Sequence, residues 1–512
     1  MNKIRRLNKK LVLLIFLNFI IRLPSLFNSL DPYIFCDELL LWDEAKRMFQ
    51  EKTLIMKWFK QGPVNLYPVV LPLFPLELVV NIFDKSLYST IVIPFARFIF
   101  NFLLSSATIV YLLKINRLIN LTKGKNADFI LGILFLFNPY FLAQTRIWYP
   151  NSYLYFFTTL LTYFILKIYY GNIDYRNLAL ISLIFALGVS VKYNFIFFGL
   201  SLVILYLVKV RQEDKFFLKE VLFSSTGFVL AVAILNFSAI INFELFLSDF
   251  TGNIENYGTV TSENFISRFL YYFLFLFAVP VSSIGFIFLL INLCILLKTK
   301  EYFLISLFYI FPLIFIFYFS MFPTFVNRNI NLFVPFVLIC LNLGIDQVFI
   351  IKTTRLTNTL KGLLSIFSLF YLISFSITIY DDLKTDSRVS AHNWLSERPE
   401  FLDVKVGVPY SCSGASPAEN ISWLIKDPYG EEKLEYYVLE DYWPNAFFDY
   451  QERSNILFVM NHKDDHYDYF SNLRFFNSRS KYELSLYENS NYSLIKTFSG
   501  NGPDVHIFKK NN

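Results

Sequence analysis

Two acidic pairs stand close together early in the chain. In the run DPYIFCDELLLWDEAKRMFQEK, which begins at Asp31, Asp37-Glu38 is followed by Asp43-Glu44. Like charges this close repel, and one carboxylate's pKa rises unless a cation or metal compensates. A carboxylate positioned at a membrane edge can accept the proton of an attacking hydroxyl. A plainer account also holds. Trp42, Met48 and Phe49 suit an amphipathic helix resting on a membrane, whose acids would only solvate its polar face.

Five cations are candidates for the complementary role: Arg97, Arg146, Lys192 in GVSVKYNF, Arg268, and Arg328 in FPTFVNRNINLFVP. Hydropathy puts all of them near one membrane face. A charge near the apolar core of a membrane faces a cavity or a partner. Together these groups can hold a lipid-linked phosphate or diphosphate. Snorkelling to lipid headgroups explains any single one equally well. Lys57 and Lys60 are weaker candidates, and Arg22, inside an apolar run, serves packing or the same cavity.

Other chemistry is thinly represented. His462 and His466, in HKDDH, have a metal-ligand spacing, but the acids around them fit a solvated loop better. No His precedes residue 381, so a divalent ion in the membrane part would need carboxylates, and no other cofactor is implied. Cys36 and Cys412 are both expected outside the cytosol, where they can pair; Cys294 and Cys340 read as buried apolar residues. No phosphate-cradling Gly-rich loop and no nucleophile elbow occurs.

The elements that carry these residues are membrane spans. The 512 residues are 55% hydrophobic and 20% aromatic, with 17% charged, which excludes a disordered chain. Four Cys cannot make a disulfide scaffold, and a net charge of +6 is better explained by membrane loops than by a nucleic-acid surface. Runs long enough to cross a bilayer fall at 11–30, 89–113, 128–145, 152–170, 177–191, 193–208, 221–242, 268–297, 302–320, 330–351 and 360–380. The pair 177–191 and 193–208 reads as a tight hairpin. The stretch 64–83, with Pro68, Pro72 and Pro75, reads as a helix at the membrane surface. With eleven crossings, the basic clusters at 3–10, 114–125, 209–219, 298–300 and 352–361 share one side, which satisfies the positive-inside rule. If 64–83 crossed, every later loop would invert. The first run lacks a small-x-small cleavage site and is expected to stay as an anchor.

The expected fold is therefore an α-helical polytopic membrane protein of about 11 transmembrane helices over 1–380, with outer loop 31–88 carrying juxtamembrane helices. A C-terminal extracytoplasmic mixed α/β domain follows over 381–512. Short β runs at 404–409, 455–460 and 492–498 and a helix at 388–398 mark that domain. The expected location is the plasma (inner) membrane, multi-pass, with a cytoplasmic N-terminus.

This pattern resembles the GT-C superfamily of glycosyltransferases, in the type that includes the dolichyl-phosphate-mannose–protein mannosyltransferases and the lipid A aminoarabinose transferases. Asp37-Glu38 with Ala45-Lys46-Arg47-Met48 resembles the family's DE-x(6)-A pattern in the first outer loop. Gly62-Pro63-Val64 resembles its Pro-containing juxtamembrane segment. Arg97 resembles the Arg opening its second span, Asn138-Pro139 through Arg146 the outer end of its third, and Gly188 to Lys192 its small-residue hairpin ending in Lys. Arg328 through Pro335 resembles its basic-then-Pro pattern, and SAHNWL, from Ser390, the helix after its last span. There is one departure. Asn151 stands about where members carry a second acid, whose role here is missing or taken by another residue such as Glu44.

The resemblance implies transfer of a hexose or pentose from a polyprenyl-phosphate donor to a hydroxyl of a glycan, lipid or protein acceptor at the outer face, with inversion. Asp37 would be the base, and Glu38 would orient it or bind the acceptor. Arg97, Arg146, Lys192, Arg268 and Arg328 would hold the donor phosphate, and Asp43, Glu44 and Asn151 would serve the acceptor or an accessory role. Two other readings remain. A transporter or flippase would use the same spans and intramembrane cations, but predicts inverted repeats, which do not stand out. A polymer ligase would place its chemistry in a later loop, yet 243–267 has acids without His, Lys or Arg.

Overall fold

The fold is described from a computed structural model. The described residues are 2–27, 36–59, 61–80, 85–119, 127–138, 141, 142, 145, 148, 150–213, 217–256, 265–277, 281–322 and 329–350, with strands at 406–408, 424–426, 436–440, 492–498 and 505–510. For 36–40 the backbone alone is described. The chain divides into two compact units. One comprises Met1–Leu26 with Asp43–Ser376, the other Phe27–Trp42 with Ile377–Asn512.

Among the described residues the helices belong to the first unit, except that Phe27 at the end of the first helix and residues 36–42 at the start of the next belong to the second. A backbone surrounded by lipid must satisfy every N–H and C=O internally, and Phe-, Leu- and Ile-rich runs do this as helices. In chain order they are α1 (Asn2–Phe27), α2 (Cys36–Gln50), α3 (Tyr67–Val80), α4 (Lys85–Arg97), α5 (Leu104–Ile119), α6 (Ala127–Leu136), α7 (Pro150–Tyr170), α8 (Tyr175–Val191), α9 (Gly199–Glu213) and α10 (Leu218–Leu235). Then come α11 (Phe237–Ile241), α12 (Phe243–Asn256), α13 (Phe265–Phe277), α14 (Ser282–Lys298), α15 (Tyr302–Ile305), α16 (Phe311–Ser320) and α17 (Val334–Ile350). Among the described residues five helices are long and apolar enough to cross a membrane: Ile91–Ile119, Tyr193–Glu213, Leu218–Leu235, Tyr302–Ser320 and Asn331–Val348. The run read as one span over 268–297 is two helices, α13 and α14, and the last run, 360–380, lies outside the described residues.

Local chemistry sets several boundaries. Pro150 opens α7, where a missing N–H costs nothing. The Asp174 carboxylate accepts from Asn177 N (2.7 Å) and caps α8. After α2, Thr53 N donates to Met48 O (2.9 Å) and Lys52 takes φ 50°, closing the helix with a left-handed residue. π-turns at Phe98–Leu103 and Ser306–Ile310 join α4 to α5 and α15 to α16. The second presents Tyr309, whose hydroxyl donates to Leu289 O (2.9 Å) and accepts from Asn292 Nδ2 (3.0 Å).

Between apolar helices, polar side chains and small residues fix the packing. Asn18 of α1 donates to Ser105 Oγ (2.7 Å) and Ser106 Oγ (3.0 Å) of α5. Asn342 of α17 donates to Asn116 Oδ1 (3.1 Å), and Asn116 donates to Asp128 (2.8 Å). By contrast, no residue of α10 is buried, as suits a helix whose apolar sides meet lipid. The expectation that Cys294 and Cys340 are both buried needs correction. Cys340 is buried, but Cys294 is exposed. It shares a helical stripe of α14 with exposed Ile287, Leu290 and Leu297, and lipid accepts apolar residues as readily as a core does.

At Gly344 the backbones of α14 and α17 come together: a Cβ there would overlap the Phe288 carbonyl oxygen. Gly344→Ala is expected to cost about 1–3 kcal/mol through forced separation of the two helices, seen as a lower unfolding temperature in detergent with the helical signal kept. An unchanged unfolding temperature would contradict this packing.

The second unit contains a five-stranded sheet in the order β2-β1-β3-β5-β4, with β1 (Val406–Val408), β2 (Leu424–Lys426), β3 (Tyr436–Glu440), β4 (Tyr492–Phe498) and β5 (Val505–Lys510). β1 is parallel to β2 and β3, with Val406 facing Leu424 and Tyr436. β5 is antiparallel to β3 and β4. β1 falls within the 404–409 run and β4 spans 492–498. The 455–460 run, the 388–398 helix, Cys412, His462 and His466 lie outside the described residues.

Candidate functional site

Asp37 and Glu38 occupy the first turn of α2, directly after Cys36, where negative charge suits the helix dipole. Their side chains are not among those described. The second acidic pair is divided by the structure. Asp43 is exposed, whereas Glu44 is buried. Glu44 takes Arg47 in a two-pronged contact, Nη2 to Oε1 at 2.6 Å and Nε to Oε2 at 3.0 Å. The Lys57 backbone N–H also donates to Glu44 Oε1 (2.6 Å), and Arg47 Nη2 donates to Ile55 O (2.6 Å). The pair therefore ties the chain after α2 back onto the helix.

Two carboxylates and two cations share that tie. Burial pulls against the Arg47 charge, but the Glu44 and Glu51 carboxylates outweigh it and hold its pKa above the usual arginine value. The hydrogen bond from Lys57, at 2.9 Å, holds the Glu51 carboxyl below its usual range. Burial raises the Tyr67 hydroxyl pKa, its bond to Ser238 Oγ (2.8 Å) opposes this, and the Glu44 charge adds to the rise.

The same stretch of the first loop is strapped on its other side by α11 and α12. Asn242 Nδ2 donates to Met56 O (2.9 Å), and Phe59 N donates to Asp249 Oδ2 (2.7 Å). Tyr193 OH donates to Phe59 O (3.1 Å). Asp249, noted in sequence only as one acid of a loop, holds backbone across the fold.

Beyond it, the first loop docks on the end of α8. Gly62 N donates to Val191 O (3.1 Å), and Asn65 Nδ2 donates to Val191 O (2.8 Å) and Gly62 O (2.9 Å). Trp148 Nε1 closes on Asn65 O (2.9 Å). Gly62-Pro63-Val64 and Gly188 to Lys192, which the resemblance picked out separately, are thus in direct contact. At the corner, Lys192 has an extended backbone (φ −151°, ψ 121°) that ends α8 before the 3-10 turn Tyr193–Phe198. Its Nζ donates to Asn329 Oδ1 (2.9 Å), and Asn194 Nδ2 approaches the same oxygen at 3.4 Å. Phe198, at the end of that turn, packs on Phe311 and Phe333 (ring centroids 5.0 and 5.6 Å apart) and so seats the corner against α16.

Among the described residues, Arg97, Arg268 and Arg22 are carried by other helices than Lys192. Arg97 is buried at the last residue of α4, just before the π-turn. Arg268 is buried and donates from Nε to Ser320 O (2.8 Å), so it also serves the carbonyl end of α16. Arg22 is buried with its guanidinium 4.6 Å from the Phe141 ring centroid. Asn151 is buried in the first turn of α7. Arg146 and Arg328 lie outside the described residues. Among the described residues no three His, Cys, Asp or Glu gather where an ion could be held. Sequence reasoning did not single out Asn65, Asn194 and Asn329. Their only sequence signal was an amide in an apolar neighbourhood.

No protein-family model matches the sequence, and no curated protein is similar to it in sequence. Solved structures are similar in fold. The apo oligosaccharyltransferase of Archaeoglobus fulgidus matches with a TM-score of 0.52 at 12% identity, over 84% of this chain and 69% of that one. ArnT of Cupriavidus metallidurans, bound to undecaprenyl phosphate, matches over 97% of each chain at 10% identity, with a TM-score of 0.47. The mycobacterial arabinofuranosyltransferase AftD matches over 99% of this chain and 40% of its own at 12% identity, with a TM-score of 0.41. The first likeness shows a fold shared with that oligosaccharyltransferase.

Proposed function

We propose that this chain is an integral membrane glycosyltransferase that moves a hexose or pentose from a polyprenyl-phosphate donor to an acceptor hydroxyl on the outer face of the membrane. One observation supports the reading: the Gly62–Asn65 segment of the first loop is docked on Val191, the residue before the Lys192 cation. The fold shared with an enzyme named as an oligosaccharyltransferase supports it. The proposal keeps eleven crossings, with the N-terminus in the cytoplasm and the C-terminal domain outside in a plasma (inner) membrane.

In the reaction, the acceptor oxygen bonds to the anomeric carbon from the face opposite the phosphate. The carbon–oxygen bond to phosphate breaks, its electron pair leaves on polyprenyl phosphate, and the hydroxyl proton passes to Asp37. The sugar configuration inverts. Lys192, with Arg97, Arg146, Arg268 and Arg328, meets the negative charge that grows on the leaving phosphate. Glu38 orients Asp37 or meets the acceptor, Asp43 and Asn151 serve the acceptor or an accessory role, and Glu44, held by Arg47 and the Lys57 backbone, is accessory only. No step runs through a metal. A divalent ion bound here would draw on the carboxylates of Asp37 and Glu38.

The test is turnover by the purified protein in lipid nanodiscs, with undecaprenyl phosphate carrying glucose, mannose, galactose or arabinose and a glycan, lipid or peptide acceptor. One donor is expected to release undecaprenyl phosphate in step with glycosylated acceptor. Lys192→Met should slow that release by about 10²–10³-fold, the usual loss for one group facing developing negative charge. Movement of donor across a sealed bilayer with its phosphate–sugar bond intact would support the transporter reading instead.

A further inference from the structure

The corner that carries Lys192 holds more than a cation. Three amide oxygens lie close to it in the chain or through the Val191 carbonyl, and all are buried with no hydrogen-bond partner among the described residues: Gln61 Oε1, Asn65 Oδ1 and Asn194 Oδ1. Which way these amides point is fixed for two of them. Asn65 has its nitrogen on two carbonyl oxygens, Gly62 O and Val191 O, so its oxygen must be the atom left over. Asn329 must turn its oxygen to the Lys192 ammonium, and Asn194 must then offer its nitrogen to that oxygen, which leaves Asn194 Oδ1. Gln61 precedes Gly62, whose N–H is bound to Val191 O. A buried carbonyl oxygen left without a donor keeps the full cost of leaving water, so an arrangement of several calls for donors from elsewhere.

We infer that Gln61, Asn65 and Asn194 form a subsite for the hydroxyl groups of the transferred sugar, next to a phosphate held by Lys192. This rests on the proposed donor reading and deepens it. Uncharged acceptors beside one cation suit a neutral, many-hydroxyl group joined to a phosphate. A bare lipid phosphate would satisfy Lys192 and leave the amide oxygens unpaired. Asn65 also has a structural role, because its nitrogen ties the first loop to α8. Gln61 and Asn194 are therefore the specificity-determining residues open to test.

The experiment compares binding of undecaprenyl phosphate with binding of the same lipid carrying glucose, mannose, galactose or arabinose, to the purified full chain in detergent. In the wild type at least one sugar-bearing lipid is expected to bind at least tenfold more tightly than the bare phosphate. Gln61→Met and Asn194→Leu should each reduce that gain by about tenfold, the worth of one hydrogen bond to a buried acceptor. Both should leave bare undecaprenyl phosphate binding unchanged. Gln61→Met keeps the side-chain length and guards against loss of fold in the other variant. If both variants keep the full gain, the oxygens are filled by ordered water and the subsite is refuted. If the wild type binds bare undecaprenyl phosphate no better than a neutral lipid, the donor reading itself falls, and this inference with it.

Discussion

Asp37→Asn is expected to reduce sugar transfer by about 10²–10⁴-fold while donor affinity stays within a few-fold of wild type. The amide has the shape of the carboxylate but cannot accept the hydroxyl proton, and that range is what a positioned base contributes. Asp37 lies in the first turn of α2, so the substitution removes one favourable charge–dipole contact worth about 0.3–1 kcal/mol, too little to unfold the chain. A single-turnover measurement with saturating donor isolates the chemical step. Glu38→Gln, which alters an orienting or acceptor-side group, should cost less. Full activity in Asp37→Asn, or a deficit confined to donor affinity, would remove Asp37 as base.

The second large effect is expected at Gly62. A Cβ at this position would overlap the Ser190 carbonyl oxygen, and backbone cannot yield as a flexible side chain can. In Gly62→Ala the first loop must lift from α8, breaking the bonds of Gly62 N and Asn65 Nδ2 to Val191 O. Lys192 is the next residue, so the cation shifts as well. A displacement of about 1 Å at a reacting group can cost 10²-fold in rate, and transfer should fall by at least that much, with a lower unfolding temperature. Gly252→Ala is the control, since a Cβ there meets nothing within 4 Å. Wild-type turnover and stability in Gly62→Ala would show that the docking does not set the site.

How much of this was legible in the sequence differs by level. The helical character of the described residues up to 350 follows from apolar runs and the demands of lipid on the backbone. The π-turns at Phe98–Leu103 and Ser306–Ile310 were not visible, because an extra residue in a helical turn leaves no compositional mark. The division of 268–297 into α13 and α14 was missed for a related reason: hydropathy registers total length, not continuity. Cys294 was misassigned because lipid-facing and core-facing positions have the same chemistry in a membrane helix.

The site shows the same limit. Lys192 stood out as a charge in an apolar hairpin, and Gly62 as part of a motif. Their meeting through Val191 depends on residues more than 120 apart in sequence, a contact that no local pattern encodes. Glu44 was read with Asp43 as an acceptor-side or accessory acid, and as a residue that could take the role of the missing second acid. Its burial and its hold on Arg47 and the Lys57 backbone set it apart from Asp43, which stays exposed. Charge type is legible in sequence, but the partner of a charge is decided by packing.

The central claim is that the Asp37-Glu38 pair and the C-terminal sheet face the same compartment, outside the cytosol. It is tested by labelling single thiols with a membrane-impermeant maleimide in sealed right-side-out vesicles. One variant keeps Cys36 alone, a second has Ser493→Cys as its only thiol, and a third has Lys123→Cys. Labelling of Cys36 and position 493 in sealed vesicles, with position 123 reached only after permeabilisation, is the predicted result. Finding Cys36 and position 493 on opposite sides of the bilayer would contradict the account.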